Sequence, residues 1–118
     1  MKQIRLFKPW VGEEELESIR KAFDRGWIGL GPVVEEFENN WSEYMKGGNS
    51  IALNSCTAAL DLALKIFDFP ENKKVLVSSI TFVSTAHAVL YNGLVPIFVD
   101  VDKKTLQMST EDLERKIT

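Results

Sequence analysis

A single cysteine, Cys56, occurs in the 118 residues. No internal disulfide can therefore form, which suits a reducing compartment. No run approaches the roughly 18 apolar residues of a membrane span. The opening Met1-Lys2-Gln3-Ile4-Arg5 lacks the apolar stretch of a secretory signal. Nor is there an excess of positive charge: the formal net charge is −3. The chain thus offers no basic field to nucleic acid or to an anionic membrane. Internal repeats and low-complexity linkers are missing too. These absences point to a cytoplasmic protein. What is left is an ordinary globular composition, 45% hydrophobic and 26% charged, in a chain long enough to bury a core without disulfides or metals.

The hydrophobic spacing predicts an arm over residues 1–11, with Ile4, Leu6 and Phe7 apolar and Pro9 opposing helix. It predicts a helix from Glu13 to Arg25, with Leu16, Ile19 and Phe23 on one face, acids in its first turn and Gly26 at its end. A glycine-rich loop, Trp27 to Gly31, leads into a second helix that begins at Pro32. Val34, Phe37, Trp41 and Tyr44 or Met45 form its apolar face, and Gly47-Gly48 ends it. The pattern then changes. Short apolar runs at 51–53, 75–77 and 95–99 read as strands, and the spans 56–67, 81–91 and 109 onward read as helices. Ser109 and Asp112 have the spacing of a capping box. Non-alternating apolar strands joined by helices imply an α/β fold with a mostly parallel sheet covered on both faces. The expected division is 1–49, arm and helices, followed by 50–118, three strand–helix units.

Chemistry concentrates at two strand-to-helix junctions. In Asn54-Ser55-Cys56-Thr57-Ala58 a strand would run through small polar residues directly into a helix. The first N–H groups of a helix have no internal partner, and that end carries about half a positive charge, so it suits a phosphate. Ser55 and Thr57 hydroxyls can add donors. The same residues also fit a plain helix cap, and both readings stay open. The turn is neither a Walker loop nor a dinucleotide fingerprint. The second junction, Ser78-Ser79-Ile80-Thr81-Phe82-Val83-Ser84-Thr85, should open at the same sheet edge. Phe82 there is either a stacking platform for a flat ring or a core residue. His87 reads as a packed or surface histidine. Asp100 and Asp102 have no further ligands that would make a metal pair, and they read as shaping a loop. Trp27 and Trp41 read as packing or interface residues.

Taken together, these segments resemble the DegT/DnrJ/StrS family of sugar aminotransferases. Ile4-Arg5-Leu6-Phe7-Lys8-Pro9 is similar to the family's opening. Gly26-Trp27-Ile28-Gly29-Leu30-Gly31-Pro32, with Val34, Phe37 and Glu38, resembles its G-x-W-x-x-G-P…F-E signature. Asn54-Ser55-Cys56-Thr57-Ala58-Ala59-Leu60 resembles N-S-G-T-A-A-L. Ser79 to Thr85 and Pro96 to Asp102 resemble P-S-x-T-F-V-A-T and P-V-F-V-D-I-D. The resemblance implies fold type I, the aspartate-aminotransferase-like architecture, with this chain as the incomplete beginning of its large domain. It implies pyridoxal 5'-phosphate as cofactor, a nucleotide-linked keto sugar as substrate, glutamate as amino donor and a homodimer. Ser55, Cys56 and Thr57 would hold the cofactor phosphate, Phe82 would stack on its ring, and Gly29 and Gly31 would border the substrate. Cys56 departs from the family pattern, which usually has a small residue such as glycine there.

The resemblance also places the Schiff-base lysine and the aspartate of the ring nitrogen later in the family's chain. Lys65, Lys73, Lys74, Lys103, Lys104 and Lys116 read as solvated charges, so catalytic residues are expected to be none within this chain. In fold type I the first strand lies across the sheet from the second and third. A fragment ending here would leave strand edges and apolar faces uncovered, and it is expected to self-associate or rearrange. A sugar dehydratase of the same family and a non-catalytic binding or dimerising module are the alternatives.

Overall fold

The computed structural model describes residues 7–117. The first part of the expected arm, with Ile4 and Leu6, lies outside the described residues, and residues 7–12 form no regular element. Then follow α1 (Glu13–Asp24), α2 (Pro32–Tyr44), α3 (Cys56–Phe67), β1 (Lys74–Ser78), α4 (Ser84–Tyr91), β2 (Val95–Val99) and α5 (Thr110–Lys116). The chain forms two compact units that divide between Ala52 and Leu53.

In the first unit, α1 opens with the Gly12 amide donating to Glu15 Oε2 at 2.5 Å. Glu13, Glu14 and Glu15 lie at the positive end of the helix. The helix closes as Gly26, at φ +67°, donates to the Phe23 carbonyl at 2.8 Å. Pro32 occupies the first turn of α2. Along α2, Phe37 stacks on Trp41 with ring centroids 6.2 Å apart, and Trp41 meets Tyr44 at 5.8 Å. Neither helix contains a buried residue. The strand expected at 51–53 does not form. Of its donors the Ala52 amide goes to Glu38 Oε1 at 2.7 Å, and just before it the Ser50 amide goes to Ser42 Oγ at 3.0 Å. Side chains of α2 thus satisfy backbone groups that a neighbouring strand would otherwise take.

The second unit builds a core. β1 and β2 pair in parallel, Val77 opposite Phe98 and Ser78 opposite Val99. This is the sheet expected from sequence, with two strands instead of three. The Val95 amide donates to Lys73 O at 2.9 Å, so position 96 faces the other edge and accepts a proline. Val77, Val89 and Leu94 form the buried cluster, with Leu64 of α3 and Val75 packed against it. Burying each such side chain contributes about 1.5–3 kcal/mol. α4 supplies Ala86, Ala88 and Val89. It starts at Ser84 rather than Thr81, because residues 79–83 first form a turn. In α3, Leu64 packs on this cluster, while Phe67 is exposed and stacks on Phe69 at 5.5 Å. Asn92 ties α4 to α3, donating to Asp61 Oδ1 at 2.8 Å.

α5 is held by a clamp. Ser109 Oγ caps it through the Asp112 amide at 3.3 Å, as the spacing predicts. The Asp112 carboxylate does not return to Ser109. It accepts from the Asp100 amide at 2.8 Å, from Lys116 Nζ at 2.7 Å and from Arg115 at 3.1 Å. Lys116, expected to be a solvated charge, also donates to the Phe98 carbonyl at 2.7 Å. Together these contacts bind α5 to the carboxyl end of β2.

Candidate functional site

The turn before α3 is ordered by Ser55. Its backbone is extended, its Oγ accepts from the Ala58 amide at 3.2 Å, and its hydroxyl donates to Asn54 Oδ1 at 3.3 Å. The Ala59 amide is taken by the Ser55 carbonyl at 3.2 Å. The amides of Cys56 and Thr57 have no hydrogen-bond partner among the described residues. The cap and the anion site are therefore compatible: capping uses the third amide of the helix and leaves the first two. Cys56 is exposed and Thr57 half-buried, so an anion can approach both N–H groups.

The 78–85 junction leaves the carboxyl end of β1. The Ser79 amide extends the ladder to Val99 O at 2.8 Å. The Ser78 hydroxyl donates to Ile80 O at 3.3 Å, and the Thr81 and Thr85 hydroxyls share a 3.1 Å bond. Phe82 stands just beyond this sheet edge and is 75% exposed, uncovered by any of the described residues. Its carbonyl accepts from the Thr85 amide at 3.0 Å. No hydrogen bond joins this segment to residues 54–57 among the described residues.

In the other unit, the glycine turn at 26–31 is organised by Trp27, which the sequence suggested as a packing or interface residue. Trp27 Nε1 donates to the Leu30 carbonyl at 2.6 Å. Gly31 is the N-cap of α2, and a Cβ on it would overlap the Trp27 indole. Gly29 has room, with its nearest such atom 4.0 Å away. A cleft of about 270 Å³ lies beside the turn, lined by Arg25, Trp27, Gly29, Pro32 and Val33. The signal that could have revealed this role was the short spacing between an indole donor and a glycine-rich backbone.

Three carboxylates are held below the ordinary aspartate range. The Asp100 amide holds Asp112 below the ordinary aspartate range, and Lys116 adds to it. The Thr105 and Lys104 amides do the same for Asp102, whose carboxylate thereby closes its own loop. Lys65, with help from Asn92, lowers Asp61. All three are structural anchors rather than acids or bases. His87 is exposed and lies against Tyr91 with ring centroids 5.8 Å apart.

A parallel strand pair with helix heads at its junctions, preceded by two helices and a glycine turn, is the opening of the α/β fold of type I pyridoxal-phosphate enzymes. The chain belongs to the DegT/DnrJ/EryC1/StrS aminotransferase family, whose sequence pattern matches residues 9–118. It is 36% identical over 110 residues to the spore coat polysaccharide biosynthesis protein SpsC of Bacillus subtilis, covering 93% of this chain and 28% of that one. It is 38% identical over 117 residues to dTDP-4-dehydro-2,3,6-trideoxy-D-glucose 4-aminotransferase of Saccharopolyspora spinosa, covering 98% and 30%. Among solved structures it is similar to Spr1654 of Streptococcus pneumoniae, assigned as a sugar aminotransferase. Its PLP form matches with a TM-score of 0.88 at 30% identity, over 99% of this chain and 30% of that one. A PMP form of the same protein matches equally well. The chain thus spans less than a third of the length of these relatives.

Proposed function

We propose that the chain carries the cofactor-phosphate portion of an aminotransferase that acts on a nucleotide-linked keto sugar, with glutamate as amino donor, in polysaccharide or deoxyamino-sugar biosynthesis. Pyridoxal 5'-phosphate is the cofactor, as in the homologous structures. When bound, it supplies the electron sink through which an amino group is moved. In this reading residues 1–49 are the arm and helical segment, and 50–118 begin the large domain. The working enzyme is a cytoplasmic homodimer, and residues 1–118 by themselves do not transaminate.

The observation that carries the reading is the pair of unpartnered amides at Cys56 and Thr57, at the head of a twelve-residue helix. They and the Thr57 hydroxyl bind the phosphate, and the Ser55 hydroxyl adds a donor on leaving Asn54 Oδ1. Phe82 orients the ring by stacking. Gly29 and Gly31 present backbone without side chains to the sugar. The test is cofactor affinity in the protein produced from its native reading frame, followed by absorbance. Thr57→Ala is expected to weaken pyridoxal-phosphate binding about tenfold, the scale of one hydrogen bond to a charged group. Phe82→Ala should weaken it less. Binding unchanged in both variants would overturn the assignment.

A further inference from the structure

The geometry points to Trp27 as the positioning residue of the glycine turn, and through that turn of the keto-sugar side of the site. This rests on the reading of Gly29 and Gly31 just given. The indole Nε1–H donates to the Leu30 carbonyl at 2.6 Å, closing a loop of four residues onto itself. The ring then lies against the α-carbon of Gly31, where an added methyl would collide with indole Nε1 and Cδ1. Gly31 has φ 178°, an extended conformation open to any residue. Its glycine is required by the ring and not by the backbone.

The two glycines therefore do different work. Gly31 makes room for the indole, and Gly29, with nothing nearer than 4.0 Å, leaves an open face. The indole is not a core side chain, since Trp27 is 60% exposed. Its neighbours Ile28 and Leu30 are 82% and 79% exposed, so packing among the described residues does not hold this turn. The hydrogen bond and the ring-on-glycine contact do. The ring also forms part of the wall of the cleft that Gly29 shares with Arg25, Pro32 and Val33. Moving the indole reshapes both the turn and that wall.

The experiment uses the pyridoxal-phosphate-loaded protein from its native reading frame. The glutamate half-reaction is followed by cofactor absorbance, and dTDP- and GDP-linked 4-keto-6-deoxyhexoses probe the other half. Trp27→Phe keeps a ring and removes the donor, and Gly31→Ala pushes on the ring from the opposite side. Each is expected to raise KM for the keto sugar about fivefold, the scale of one neutral hydrogen bond. For Trp27→Phe the glutamate half-reaction and the cofactor absorbance should be unchanged. The double variant should be no worse than either single, because both break one contact.

Effects that multiply in the double variant overturn the proposal. So does an equal loss in the glutamate half-reaction, which marks a general structural defect. If Trp27→Phe leaves KM unchanged while Gly29→Val raises it, the turn binds the sugar without positioning by Trp27. If all three leave KM unchanged, the substrate reading of the glycines falls, and the role of Trp27 with it. Should Trp27→Phe not fold, hydrogen exchange of the wild-type indole N–H decides the geometry. Slowed exchange supports the contact, and exchange at the rate of a free indole overturns it.

Discussion

The unit after Leu53 and the unit before it hold similar kinds of apolar residues and use them differently. The later unit buries Val77, Ala86, Ala88, Val89, Leu94 and Val99 between a parallel strand pair and its helices. The earlier one has two well-formed amphipathic helices, yet Leu16, Ile19, Phe23, Phe37 and Trp41 all remain about half exposed or more. The difference shows that helical periodicity is sufficient to make a helix with an apolar face. A core needs a second layer at the right distance. In the later unit the strands provide that layer within 66 residues of chain.

This contrast can be broken or sharpened in order of size. The largest effect concerns the whole polypeptide. Residues 1–118 by themselves are expected to self-associate, since the apolar faces of α1 and α2 lack cover among the described residues. Sedimentation showing a monomer with a cooperative thermal melt would contradict this. Next is the core: Leu94→Ala in the native-frame protein should cost about 2–5 kcal/mol in denaturant titration. An exposed counterpart, Phe23→Ser on α1, should shift the 118-residue chain toward the monomer instead.

The Asp112 clamp comes after these. Its folded pKa lies below the ordinary aspartate value. Its contribution is therefore complete above that value and is lost as pH falls through the folded one. Acid titration should release α5 before the β1–β2 pair opens, and Asp112→Asn should remove this acid limb. Hydrogen exchange at the Asp100 amide measures it directly. The smallest expected effect is Ser55→Ala, about 1 kcal/mol for a lost N-cap, detected as faster exchange at the Ala58 amide with the β-strand amides unchanged.

Much of the site was legible because its information is local. Ser55 before an apolar helix, Pro32 after a glycine loop, and Ser109 three residues before Asp112 are signals between near neighbours. Each cap or first-turn position appears where the spacing puts it. The strand at 51–53 was misread for the opposite reason. A short apolar run looks the same whether a neighbouring strand or, as at Ala52, the side chain of Glu38 takes an amide. Phe82 was undecided in sequence for a similar reason, because exposure depends on what the rest of the chain covers. The clamp on Asp112 was half visible: its cap is local, but its acceptor role joins it to Asp100, twelve residues away.

By itself, then, the sequence determined the helices, the caps at Ser55 and Ser109, the two parallel strands and the motifs that place the chain in its family. Those follow from hydrogen bonds and side-chain periodicity over a few residues. Only the tertiary structure decided which apolar faces are buried, that the Ala52 amide goes to a side chain of α2 instead of into a sheet, and that an indole folds back onto Gly31. Those outcomes depend on which donors and surfaces meet in space, and neighbours along the chain do not specify that.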